Sequence, residues 1–225
     1  MRRTPLWIAL LSLSSPLASG CALTDARLAP PLPKEVATGS RRGAQREIVV
    51  LLPFANKRAQ ARCGMKKNGL GMDTASVRCA EAPEATLGAL VVAELSAAGF
   101  KVSRDLNAAG PSTLVVSGAL EQTFMEPYSN GFTLAFETDL ALRLTAWTRT
   151  GLIAERRFYV KGEEATYFAS EADMDRSYQS AARQLVASVV GAVSNLADRA
   201  PYDELRAAPP SGGARTRTKE ADDDE

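Results

Sequence analysis

Phe132-Thr133-Leu134-Ala135-Phe136-Glu137-Thr138-Asp139-Leu140-Ala141-Leu142-Arg143-Leu144-Thr145-Ala146 is the stretch on which the fold turns. Phe132, Leu134, Phe136, Leu140, Leu142, Leu144 and Ala146 alternate with Thr133, Glu137, Asp139, Arg143 and Thr145. A period of two predicts a long strand with one face on a core and the other in water. Turn signals bracket it, Pro127-Tyr128-Ser129-Asn130-Gly131 before and Arg149-Thr150-Gly151 after, so the neighbouring segments should be antiparallel partners. In the preceding one Leu114, Val116, Gly118, Leu120 and Phe124 should share the inward face. In the following one Leu152, Ala154, Phe158 and Val160 alternate with Glu155, Arg157, Tyr159 and Lys161, and Arg156 interrupts the pattern on the inward side, as near an edge.

Such a face needs a cover. Ser170-Glu171-Ala172-Asp173 resembles a capping box with Asp in place of the usual Glu. The helix it opens should run to about Asp198, with Met174, Tyr178, Ala181, Leu185, Val189, Ala192, Val193 and Leu196 as its apolar stripe. A second helix is predicted over Pro83 to Ala98, with Leu87, Leu90, Val91 and Leu95 on one face and Gly99 as its left-handed stop. Ile48-Val49-Val50-Leu51-Leu52 reads as a strand covered on both faces, ended by Pro53, and Phe100-Lys101-Val102 as the start of a short one. The expectation is an α+β domain over residues 47–200. It should hold a mixed or antiparallel sheet of about five strands with two helices packed on one face, in the order β-α-β-β-β-β-α.

The N-terminus carries a second signal. Met1-Arg2-Arg3 is basic, and Leu6, Trp7, Ile8, Ala9, Leu10, Leu11 and Leu13 make an apolar run too short for an ordinary membrane-spanning helix. These are the proportions of a signal peptide over residues 1–20. Leu17-Ala18-Ser19-Gly20-Cys21 then reads as a lipobox, after which Cys21 would be the acylated first residue of a bacterial lipoprotein. The competing reading is an ordinary secretory signal with a chance cysteine. Ala22, where Asp would favour the inner membrane, points to a lipid-anchored outer-membrane protein facing the periplasm. Residues 21–46, with Pro30-Pro31-Leu32-Pro33, are expected as a lipidated Pro-rich tether. Residues 206–225, ending in Asp222-Asp223-Asp224-Glu225, are expected as a disordered charged tail.

Two cysteines remain once Cys21 is allotted to lipid. Cys63 and Cys79 suit a disulfide in an exported chain. The alternative, two ligands of a metal site, lacks histidine altogether. The segment between the first strand and the first helix, residues 55–83, is expected as a long basic loop. From Arg41 to Arg78 there are nine Lys or Arg against two acids, whereas from Glu81 to Asp198 there are 15 acids against nine bases. Lys57, Arg58, Arg62, Lys66, Lys67 and Arg78 are thus candidate contacts for an anionic partner or anionic lipid headgroups. The alternative is a solvated loop. The formal net charge of +1 gives no sign of a nucleic-acid partner.

Candidate chemistry is sparse. Without histidine there is no Ser-His-Asp or Cys-His arrangement. Glu163 with Glu164, and Glu137 with Asp139, are paired carboxylates that could serve acid–base work or simply solvate a surface. Gly64, Gly69 and Gly71 lack the lysine and helix of a phosphate loop. No cofactor or metal motif and no catalytic constellation emerges, so a non-enzymatic role is expected.

Val50-Leu51-Leu52-Pro53-Phe54-Ala55-Asn56 resembles the "VLPF.N" strand end of the TolB N-terminal-like fold, shared by the penicillin-binding-protein activator LpoB and CsgG-like lipoproteins. Leu95-Ser96-Ala97-Ala98-Gly99-Phe100-Lys101-Val102 resembles their helix end and second strand, and Leu114-Val115-Val116-Ser117-Gly118-Ala119-Leu120 their "lvvGxv" strand. The layout is also similar to YajG-type lipoproteins. The resemblance covers about Glu47 to Ala200 and implies an outer-membrane lipoprotein docking on an envelope transport or cell-wall assembly partner. A lipid- or lipopolysaccharide-binding module using the basic loop is the other expectation. It carries over no site residue, and the Cys63–Cys79 loop departs from the pattern.

Overall fold

A computed structural model describes residues 24–29, 45–68, 70–129, 133–167, 170–200 and 202. The lipobox with Cys21, the Pro-rich run 30–33 and the expected tail 206–225 lie outside these residues. The elements are β1 (Ala26–Leu28), β2 (Glu47–Val50), β3 (Ala55–Asn56), β4 (Gly64–Lys67), β5 (Asp73–Cys79), α1 (Pro83–Ala97), β6 (Lys101–Ser103), β7 (Leu114–Ser129), β8 (Leu134–Thr148), β9 (Gly151–Thr166) and α2 (Glu171–Ala197).

The α+β class and the two helices stand. The sheet is larger than the five strands expected, with nine among the described residues. The series β2-α1-β6-β7-β8-β9-α2 keeps the expected order, and the extra strands come from two regions read as irregular. Residues 55–83 hold β3, β4 and β5, so the expected long loop contributes three strands to the sheet. The expected tether contributes β1, which pairs in parallel with β5 (Ala26 with Val77, Leu28 with Cys79) and buries Ala26 and Leu28. β1, β3 and β4, two to four residues each, are too short to carry a readable periodicity.

β7 is the spine. One edge pairs antiparallel with β8 along its length, and β8 pairs antiparallel with β9. The other edge takes three parallel partners in turn: β2 at Leu114–Val116, β3 at Ala119–Leu120, and β4 at Met125. β6 flanks β2, and β5 followed by β1 flanks β4.

Ile48, Val50, Leu114, Val116, Leu120, Phe136, Leu140, Leu142, Leu144 and Ala146 join the apolar stripes of α1 and α2 in one core. The expected stripe of α2 is buried at every position named above. Burying a Leu-sized side chain is worth about 1.5–3 kcal/mol, so this face dominates stability. Ser170 accepts from the Asp173 amide while Asp173 accepts from the Ser170 amide, the capping box expected at the start of α2. At its other end Arg46 donates to the Ala197 carbonyl and pairs with Asp198 at 3.1 Å, placing a cation at the negative end of the helix. Gly99 closes α1 at φ 92°.

The inward face of β7 departs from the reading at Phe124. The register with β8 shifts between Leu120 and Gln122, a bulge at Glu121. One extra residue reverses the side-chain alternation beyond it. Thr123 and Met125 therefore point inward and are buried, and Phe124 faces out opposite Asp139. Leu152, expected inward, is exposed, because the register with β8 shifts between Ala146 and Trp147 and sets Leu152 opposite Trp147, which faces away from the main core.

α2 lies directly on β9 at Gly162. A Cβ there would stand 2.2 Å from the Ser177 carbonyl oxygen and 2.5 Å from the Ala181 nitrogen. Beside it the Ser177 hydroxyl sits 2.8 Å from the Thr138 hydroxyl, 2.9 Å from the Phe136 carbonyl and 3.1 Å from that of Gly162. This buried polar cluster ties helix to sheet, the Ser177 hydroxyl being satisfied by groups of β8 and β9.

Candidate functional site

The sequence singled out the basic segment, and the structure folds it into a small sheet. Cys63 and Cys79 are joined by a disulfide with Cα atoms 5.5 Å apart, linking the start of β4 to the end of β5. The Cys63 amide donates to Val77 and the Met125 amide donates to Cys63, so the bridge sits where this lobe meets the spine. Gly64 permits that approach: a Cβ on it would fall 2.2 Å from the Met125 carbonyl oxygen.

The six basic candidates do not form one patch. Lys57 is exposed on the β3–β4 connection. The Arg58 guanidinium donates to Asn56 at 3.2 Å and to Cys63 Sγ at 3.2 Å. Arg62 donates to Gln60 and lies 5.8 Å above the centre of the Phe124 ring, the contact that the bulge makes available. Lys66 and Lys67 lie on β4, and the Lys67 ammonium pairs with Glu126 at 2.5 Å. That hydrogen bond raises the Lys67 pKa. Arg78 pairs with Asp25 at 2.9 Å. The charges that the sequence suggested would meet at the neck of a loop are therefore split, and two of them are matched by acids. Arg58 and Glu121 to Phe124 line an open cleft of about 260 Å³ at the bulge.

The outward face of β7–β9 is the second candidate, and here the acids noted in the sequence reappear. Glu121, with its side chain 16% exposed, takes Arg143 at 2.5 Å and Arg157 at 2.6 Å. Burial opposes ionisation of Glu121, but hydrogen bonds and charge from the two guanidiniums outweigh it and hold the carboxyl below its ordinary range. Lys161 bridges Glu137 and Asp139, and the hydrogen bond to Glu137 pushes its pKa up. The Tyr159 hydroxyl donates to Asp139 at 2.5 Å and the Tyr128 hydroxyl to Glu163. Glu164 points to the other side and pairs with Arg176 of α2 at 2.6 Å. So Glu163 and Glu164 part to different partners, whereas Glu137 and Asp139 share Lys161, and each acid is engaged by a cation or a phenol. Among the described residues no group of three or more His, Cys, Asp or Glu is placed to hold a metal ion.

Sequence reasoning missed β5, whose Ala75, Val77 and Cys79 alternate with Thr74, Ser76 and Arg78. That alternation was the available signal. It also missed the exposed apolar residues at the β4–β5 turn, Leu70 at 83% and Met72 at 55% exposure. The Asn68-Gly69 pair marks that hairpin.

No family model matches this chain, and no curated protein matches it. Solved structures do. The protein XCC0632 from Xanthomonas campestris, described as DUF330, superposes with a TM-score of 0.54 at 13% identity, over 77% of this chain and 96% of that one. A homologue of neuraminyllactose-binding hemagglutinin from Helicobacter pylori gives 0.47 at 10% identity, over 80% and 98%. A minor lipoprotein from Acinetobacter baumannii gives 0.33 at 13% identity, over 69% and 93%. The first likeness shows a shared fold. None of the three reaches the TolB-like, LpoB, CsgG-like or YajG-type groups suggested by the strand motifs.

Proposed function

We propose that this chain is a non-enzymatic envelope lipoprotein, acylated at Cys21 on the outer membrane, whose periplasm-facing domain docks on an envelope transport or cell-wall assembly partner. The anchor rests on the Leu17-to-Cys21 stretch. Docking rests on one observation: β9 runs for 16 residues and pairs only with β8 among the described residues. A strand of that length with one paired edge offers a row of main-chain donors and acceptors for strand addition. Its outward side chains carry both signs, Glu155 and Glu163 at the ends with Arg157 and Lys161 between them. A partner strand of opposite charge order would fit, and indiscriminate pairing would be disfavoured.

The anionic-lipid reading of the basic segment is weaker, since Lys67 and Arg78 are already paired with acids. Mild crosslinking in intact envelopes followed by copurification separates the two. A photocrosslinking residue at Tyr159 should give a stoichiometric protein adduct, lost when Arg156 and Arg157 are changed to Glu. Lipid alone at that position, with a correctly anchored protein, would overturn docking along β9. The anchor has its own check: Cys21→Ala should leave an unprocessed, unacylated precursor, and normal processing of that variant would end the lipoprotein reading.

A further inference from the structure

Resting on the Cys21 anchor proposed above, we infer that the tip of the β4–β5 hairpin is a wedge that enters the bilayer surface beside the protein's own acyl chains. The occupant proposed for this apolar tip is lipid. Leu70 and Met72 project there into solvent, exposed by 83% and 55%. Nothing in the core needs them: the turn is closed by the Asn68 side chain, which accepts from the Leu70 and Met72 amides.

The direction of the leader supplies the occupant. β1 is parallel to β5, and β5 begins at the hairpin tip, so the chain leading into β1 comes from the side of that tip. The alignment is pinned one residue further back. Asp25 accepts from the Ser76 amide at 3.0 Å and pairs with Arg78 at 2.9 Å. Cys21 is three residues before Thr24, a span of at most about 11 Å. Met72 is four residues before Ser76 along β5, roughly 13 Å of strand. An acyl group on Cys21 is thus within reach of the level of Leu70 and Met72. A membrane holding that group must lie against the same end of the sheet, where Tyr167, 79% exposed, also stands beyond the end of β9. The leader is too short for the domain to stand far from the surface. The tip is accordingly the part of the domain that meets lipid first, and the Gly151 end of β9 lies farthest from the membrane.

The test uses the full acylated chain reconstituted in vesicles of phosphatidylethanolamine and phosphatidylglycerol, three to one. Leu70→Cys carries an environment-sensitive fluorophore. With Cys63 and Cys79 bridged and Cys21 acylated, the new thiol is the one that reacts. Leu152→Cys, at the opposite end of the sheet and also exposed, is the reference. Both positions point into solvent, so neither change should disturb folding. The label at 70 should shift to the blue and be quenched several-fold by a quencher attached to lipid chains, while the label at 152 should do neither. Equal, water-like behaviour of the two labels in a protein whose Cys21 is acylated by mass spectrometry would overturn the wedge and leave the lipoprotein reading intact. An unmodified Cys21 would overturn both. Shielding at 70 that appears only when envelope proteins are added would assign the tip to a protein and overturn the lipid contact.

Discussion

The slab of β7, β8, β9 and α2 and the lobe of β1, β4 and β5 are parts of one sheet held together in different ways. In the slab, long strands bury a continuous apolar face under a 27-residue helix. In the lobe, strands of three to seven residues are joined to the spine at Gly64 and tied by the Cys63–Cys79 disulfide. The lobe buries few large side chains, with Leu28 and Val77 the main ones, and relies on a covalent link and ion pairs. Regions with few buried apolar contacts open at lower free energy. The lobe is thus the region expected to open first, and the slab the rigid part of the sheet that carries the β9 edge.

The harshest way to break the comparison is Leu140→Asp. It sets an unpaired charge in the middle of the slab core, at a cost of several kcal/mol, and should unfold lobe and slab together. Asp139→Asn, one residue away on the wet face, should cost less than about 1 kcal/mol. Equal melting shifts for the two would show that the faces of β8 are exchanged.

Cys63→Ser with Cys79→Ser should act mainly on the lobe. The bridge spans 16 residues of sequence, and releasing it gives up roughly 3 kcal/mol in the chain-entropy model. Hydrogen exchange should accelerate in β1, β4 and β5 while β7–β9 keep their protection. Uniform acceleration across the sheet would mean that the lobe is as integral as the slab.

Gly162→Ala tests the seat of α2. The added methyl meets main-chain atoms of the helix, and overpacking of this kind costs about 1–3 kcal/mol. The melting temperature should fall and exchange at the Ser177 turn should rise. An unchanged melting temperature would refute the close helix–sheet contact.

The smallest expected effect concerns Glu121 at the bulge between the two regions. Its carboxyl titrates below the ordinary value of 4.5 in the folded state. A depressed folded pKa adds stability that is complete above the unfolded value and is lost as pH falls through the folded one. Wild type should therefore melt above Glu121→Gln at neutral pH, and the gap should close as pH is lowered below about 4.5. A gap independent of pH would show that the ion pairs with Arg143 and Arg157 contribute nothing through charge.

The period-two run in β8 and the heptad-like stripe of α2 were legible because each buries one face and repeats the pattern long enough to be read. β2 was legible because both its faces are covered, Ile48 and Val50 by the main core and Val49 by a second cluster with Ala109 and Val115. The Cys63–Cys79 pairing was legible from cysteine arithmetic alone. Phe124 was not, because a bulge at Glu121 is a matter of backbone register and leaves no composition signal. Nor were the separate fates of Arg58, Arg62, Lys67 and Arg78. A run of bases looks like a patch until the acids Glu126 and Asp25, distant in sequence, are brought beside it.

By itself, then, the sequence determined the α+β class, the order of the main elements, the inward residues of β8 and α2, the cysteine pair and the expectation of an acyl anchor, because each is written in local periodicity or spacing. Only the tertiary structure decided that the short strand Ala26–Leu28 pairs with β5, that the basic segment contributes strands to the sheet, and that its charges are divided between partners. Those depend on strand neighbours tens of residues apart, and pairing energy that comes from distant main chain leaves little trace in the local residues it selects.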